Sequence, residues 1–268
     1  MKNLVFLILI TFLFTSCSEY QKVLNKGEIA DQYKMAEELY EDGKYSKAIT
    51  LFEKVTPAFK GKPQMQRIQY MVANSNFETK SYELAAYYFN RFINNYPKSS
   101  KLEEANFLVS QSYYKSSPVF SLDQKDSQKA LSSLQAFLDR YPDSKNAELV
   151  NSQYKELTIK LEKKAFEIAK QYYKTENYTA AITALDNFTT EYLGSKYKED
   201  ALFYKFKAGY DLSLKSVYYK KEKRLNDAIK YHKRFVKYYP ESQYTEESDN
   251  MVKKINKELE SFKSLNSK

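Results

Sequence analysis

One cysteine and one histidine are all this 268-residue chain offers for thiol or imidazole chemistry. His232 has no acid or nucleophile at a recognisable catalytic spacing, and it stands where a helical repeat would carry a packing aromatic, so a core or edge role is expected. No metal-ligand cluster, glycine-rich phosphate loop or nucleophile elbow is present, and neither an enzyme nor a metal or cofactor site is expected. Cys17 is different. It follows a basic head, Met1-Lys2-Asn3, the apolar run Leu4 to Phe14, and the small pair Thr15-Ser16. Eleven residues are too few for a resident membrane helix, which needs ~20, and fit the core of a secretory signal. The small residues before the cysteine resemble a bacterial lipobox, with Phe14 standing where Leu is commonest. A disulfide would need a second cysteine, and a catalytic thiol would need an ordered neighbourhood. The expectation is therefore a signal peptide over residues 1–16, a covalent lipid on Cys17, and a tether over 17–27. By resemblance to Gram-negative lipoprotein sorting, Ser18, rather than Asp, after the cysteine implies the outer membrane.

The charge is +9, with Lys and Arg dispersed among Asp and Glu rather than gathered in one stripe. The export signal argues against nucleic acid as a partner. Solvated helix faces with i,i+4 ion pairs are the expected reading of this charge; anionic lipid head groups near the anchor, or an acidic partner surface, are the alternative.

The elements that must position any site are announced by one repeated phrase. Phe92-x-x-x-Tyr96-Pro97-x-Ser99 recurs as Phe137-x-x-x-Tyr141-Pro142-x-Ser144 and Phe235-x-x-x-Tyr239-Pro240-x-Ser242, with a degraded copy, Phe188-x-x-x-Tyr192-Leu193-x-Ser195. Such periods belong to stacked helical repeats. Phe reads as buried in the last turns of a helix, Pro as a breaker, and Ser as the N-cap of the next helix. In the fourth copy Gly194 is expected to end the helix instead. The first pair is plain: Met35, Ala36, Leu39 and Tyr40 share a helical face, Gly43 ends the helix in left-handed geometry, and Ala48, Phe52 and Val55 follow on a second. Ser100 and Glu103 are expected to form a capping box, and Ser116 to Asp126 reads as a surface loop. Val150, Tyr154, Leu157, Leu161, Ala165, Ile168 and Tyr172 form the apolar stripe of one long helix. Lys220 to Arg224 reads as a basic insertion. Met251, Ile255, Leu259 and Phe262 suit a helix that covers the end of the stack. The fold expected is all-α: an α-solenoid of about five tetratricopeptide-like helix pairs with a C-terminal capping helix.

The lipobox, five such units, the Tyr-Pro-x-Ser breaks and a mature length near 250 together resemble the BamD family of outer membrane protein assembly factors. The most specific segment is Tyr141-Pro142-Asp143-Ser144 with Leu157-x-x-x-Leu161 and Ile168-Ala169-x-x-Tyr172-Tyr173. The resemblance implies a non-catalytic lipoprotein scaffold at the outer membrane, facing the periplasm. Its implied partners are a POTRA-bearing barrel subunit, unfolded outer membrane proteins and other assembly lipoproteins. It also implies that repeats 1–2 (28–98) receive substrate and repeats 3–5 with the cap (99–268) dock the barrel subunit. Another tetratricopeptide lipoprotein scaffold, serving peptidoglycan enzymes, secretins or pili, or the Tol–Pal system, is the competing reading.

Within such repeats the first helix of each pair lines the binding face. That selects Tyr33 and Tyr40, then Arg67, Tyr70, Asn74 and Phe77. Aromatics with one cation suit a peptide ending in an aromatic residue and a carboxylate; Tyr40 and Phe77 also suit plain interhelical packing. For docking, Lys220, Lys221, Lys223 and Arg224 suit an acidic surface.

Overall fold

The structure is a computed structural model in which residues 19–266 are described. The expected signal peptide and the lipidation site at Cys17 lie outside the described residues. Helix α1 (19–26) precedes α2 (Ile29–Glu41), α3 (Tyr45–Val55), a 3-10 turn (Thr56–Phe59), α4 (Gln64–Glu78), α5 (Tyr82–Asn95), α6 (Leu102–Ser116) and α7 (Lys125–Arg140). Then come α8 (Ala147–Lys174), α9 (Tyr178–Glu191), α10 (Lys198–Leu214), α11 (Tyr218–Tyr238) and α12 (Thr245–Asn266). No strand occurs among the described residues. The five expected pairs run from α2/α3 to α10/α11, and α12 closes the series. The chain divides into two compact units whose boundary, between Lys155 and Glu156, falls inside α8.

In the first unit the small residues Ala36 and Ala48 are fully buried beside Leu51, Phe52 and Ile68, and Ala73, Ala85, Phe89 and Phe92 form the next layer. In the second, Phe166, Leu185 and Phe188 make one layer, and Phe206, Leu225, Ala228 and Ile255 another. Fully burying each of these large apolar side chains stabilises the fold by about 1.5–3 kcal/mol.

The repeated phrase folds the same way four times. Tyr96, Tyr141, Tyr192 and Tyr239 each donate their backbone N–H to the carbonyl of the Phe four residues back at 2.9 Å. Each Tyr then leaves the helical region, at φ −132°, −132°, −110° and −136°. Tyr192 does so without a following proline, and Gly194 is not left-handed. Tyr192 packs on Phe188 with ring centres 5.1 Å apart, as the corresponding Tyr packs on its Phe in the other three copies. The serines act differently from simple N-caps. Ser99, Ser144, Ser195 and Ser242 accept the backbone N–H two residues on at 3.2, 3.2, 3.2 and 3.1 Å, which closes a turn before the helix begins. The expected Ser100–Glu103 capping box does not form. Glu103 instead accepts from Ser144 Oγ at 2.7 Å, and Glu199 accepts from Ser242 Oγ at 2.6 Å. Each bond ties one repeat's break to the first turn of the preceding repeat.

Gly43 ends α2 at φ 72°, with Lys44 N–H donating to the Leu39 carbonyl at 2.8 Å. Lys80 (φ 62°) and Glu176 (φ 59°) hold the equivalent position after α4 and α8. A non-glycine residue is strained there.

One further expectation needs correcting. In α8 the stripe is buried at Val150 and Leu157, but Ile168 and Tyr172 are 51% and 41% exposed. The buried positions are Phe166 and Ala169, one residue on, a rotation of about 100°. Phe166 packs on Phe188 at 5.8 Å and stacks on Tyr197 at 5.4 Å, and that aromatic cluster decides which face turns inward. The basic stretch Lys220 to Arg224 lies in the opening turns of α11, continuous with the rest of that helix.

Candidate functional site

In the first unit, the C-terminal end of α2, one face of α4 and the chain entering α6 enclose a cavity of about 480 Å³. Helix α4 supplies both its wall and its support: Arg67 and Tyr70 face the cavity, whereas Ile68 and Val72 are buried in the core. Tyr40, Glu41 and Lys101 complete the rim.

Tyr70 is the best-fixed wall. Its ring meets Phe89 and Phe92 edge-on at 5.9 and 5.5 Å, and its hydroxyl donates to Glu104 at 2.6 Å. Burial, with the Glu104 carboxylate adding to it, pushes the Tyr70 hydroxyl far above the usual phenol range. Burial alone would raise the Glu104 carboxyl; hydrogen bonds from Lys101 and Tyr70 outweigh it and hold that group below the usual carboxylate range. Lys101 pairs with Glu104 at 2.7 Å and lies 5.2 Å over the Tyr70 ring. Tyr40 accepts from Asn74 Nδ2 at 2.8 Å. Arg67 pairs with Glu37 at 3.1 Å, and Glu37 also accepts from Tyr33 at 2.6 Å. Burial first, and Glu37 second, push the Tyr33 hydroxyl up to about 12.

Of the residues singled out from sequence, Tyr40, Arg67 and Tyr70 meet in the cavity, and Asn74 steadies Tyr40 from behind. Tyr33 packs on Phe59 at 4.9 Å and touches the site through Glu37. Phe77 packs against Tyr82 at 5.6 Å, away from the cavity lining. Sequence reasoning passed over Glu41, Lys101 and Glu104. The Lys101-x-x-Glu104 spacing on a helix start was the signal available for the last two.

The second unit holds a groove of about 400 Å³ between α9 and α11, floored by Ile182 and Leu212. Lys220, Lys223 and Arg224 line it, with Tyr219 and Tyr231. Arg224 donates to Ser216 Oγ at 2.7 Å, whereas Lys223 makes no hydrogen bond or ion pair among the described residues. Lys221 points elsewhere and pairs with Glu258 of α12 at 2.6 Å. Beside the groove, nearly buried Lys205 meets Asp186 at 2.5 Å, and Arg234 reaches the same carboxylate at 3.1 Å. Burial would raise the Asp186 carboxyl, but the two cations hold it below its usual range. His232 packs on Phe206 at 5.0 Å and contacts Ser248 and Asp249; burial lowers its pKa against the pull of Asp249.

Among the described residues no group of three or more His, Cys, Asp and Glu could hold a metal ion, and no helix is long and apolar enough to cross a membrane. Fold and sites together define a helical-repeat protein with a lined cavity in one unit and a groove in the other. Residues 26–225 match the family described as YfiO, outer membrane lipoprotein, and the chain belongs to that family. It is 22% identical over 214 residues to outer membrane protein assembly factor BamD of Pasteurella multocida (strain Pm70), covering 75% of this chain and 81% of that protein. It is 28% identical over 168 residues to BamD of Rickettsia prowazekii (strain Madrid E), covering 61% and 67%. A thermophilic TPR protein of Thermus thermophilus aligns over 85% of this chain and 98% of its own at 16% identity, with a TM-score of 0.30. The helices described above, rather than that alignment, carry the fold.

Proposed function

We propose that this chain is a non-catalytic scaffold of the outer membrane β-barrel assembly machine, held to the outer membrane through a lipid on Cys17 and facing the periplasm. Repeats 1–2 receive segments of unfolded outer membrane proteins in the aromatic cavity. Repeats 3–5 dock on the POTRA domains of the barrel subunit, with Lys220, Lys223 and Arg224 meeting an acidic surface. Lys221, already paired with Glu258, is set aside from that contact. The observation that carries the reading is the family match from residue 26 to 225, which spans the cavity and reaches into the basic groove. Half-buried aromatic walls beside polar groups suit a peptide side chain drawn from an unfolded chain.

The test is a detergent pull-down of the tagged, full chain from its own membranes, with mass spectrometry of what stays bound. A stoichiometric POTRA-bearing barrel protein is expected. Recovery of murein enzymes or secretin subunits in its absence would overturn the assembly role.

A further inference from the structure

The cavity of the first unit is built as if for an anionic ligand, since Arg67 and Lys101 both stand on its rim. Its charges tell otherwise. Arg67 is held by Glu37 at 3.1 Å and Lys101 by Glu104 at 2.7 Å. Each of those carboxylates also takes a tyrosine hydroxyl, from Tyr33 and Tyr70, at 2.6 Å. Both cations are therefore already answered by the protein's own carboxylates. A peptide carboxylate entering here would have to displace one of these and then face it.

One charge on the rim is left over. Glu41 lines the cavity, is exposed, and makes no hydrogen bond or ion pair among the described residues. It is the last residue of α2, where the helix dipole is already negative and an acidic side chain is locally unfavourable. Its neighbour Asp42 has its own cation, Lys44, at 3.0 Å. Among the described residues that line the cavity, the unanswered charge is thus a carboxylate beside the Tyr40 ring.

We infer that the cavity selects an internal peptide segment carrying a basic residue close to an aromatic one, with Glu41 the specificity-determining residue, rather than a free C-terminal carboxylate. The aromatic side chain of the ligand packs between Tyr40 and Tyr70, and the neighbouring Lys or Arg reaches Glu41. This rests on the reading of the cavity as a peptide site and adds the charge that the ligand must bring. An exposed pair of this kind contributes little, so the preference is modest and falls with salt.

The experiment is fluorescence anisotropy of the full chain in detergent with short labelled peptides that share one Phe and differ in the adjacent residue: Lys, Gln or Glu. Each is made as free acid and as amide. At low salt the Lys peptide is expected to bind about threefold to fivefold tighter than the Gln peptide, and the Glu peptide weakest. Glu41→Gln should erase that order, Glu41→Lys should invert it, and amidation should change little. Equal affinity for the Lys and Glu peptides, or binding lost on amidation and unchanged in Glu41→Gln, overturns the inference while leaving the cavity a peptide site. If no peptide binds, or if peptides bind and Tyr40→Ala changes nothing, the peptide reading itself fails, and the inference with it.

Discussion

The first unit's cavity and the second unit's groove are made from the same kind of helix pairs, yet their charges are arranged in opposite senses. In the cavity the cations are engaged by Glu37 and Glu104, and a carboxylate, Glu41, is left over. Beside the groove the acid Asp186 is engaged by Lys205 and Arg234, on its wall Asp227 is paired with Lys230, and the cations Lys220 and Lys223 are left over. The architecture sets where a surface lies, and the pairs that pack against it decide which charge still faces a partner. Burial differs as well. Lys205 is nearly enclosed, with 7% of its side chain exposed, whereas the Arg67 side chain is 60% exposed.

That contrast sets the size of what substitution should do. Asp186→Asn leaves a nearly buried lysine without its carboxylate and should cost about 3 kcal/mol, read as a lower urea midpoint. Glu37→Gln, the corresponding change beside Arg67, should cost about 1 kcal/mol or less. Equal losses would remove the distinction between the two sites. Lys80→Gly tests the backbone instead. It relieves a left-handed residue and should raise stability by about 0.5 kcal/mol, since glycine's own entropy offsets part of the gain. The smallest effect is a pH response confined to the second unit's end. The His232 pKa is lowered on folding, so the unfolded chain binds the proton more tightly. Stability is then full above the ordinary histidine range and falls as pH drops from there through the folded value. His232→Gln should flatten that slope in denaturation curves collected at successive pH values.

Much of this was legible in the sequence because it follows from local rules. The Phe-x-x-x-Tyr-Pro-x-Ser phrase marks helix ends, Gly43 marks a left-handed cap, and Met251, Ile255, Leu259 and Phe262 mark the closing helix α12, where Ile255 is fully buried. What failed to show was set by neighbours. The inward face of α8 was fixed by Phe188 and Tyr197, which lie beyond the helix itself. The hydroxyl of Ser144 went to Glu103 in the preceding repeat rather than to its own helix. The aromatic side of the cavity could be counted from repeat positions. Its charge could not, because Arg67 meets Glu37 and Tyr70 meets Glu104 across a repeat boundary.

The most direct test of the proposed two-surface scaffold is site-specific photo-crosslinking in living cells, with the probe placed at Tyr70 or at Lys223. Position 70 is expected to capture newly exported outer membrane proteins, and position 223 the POTRA-bearing barrel subunit. Capture of the same partner from both positions, or of the barrel subunit from position 70 alone, would contradict the two-surface arrangement.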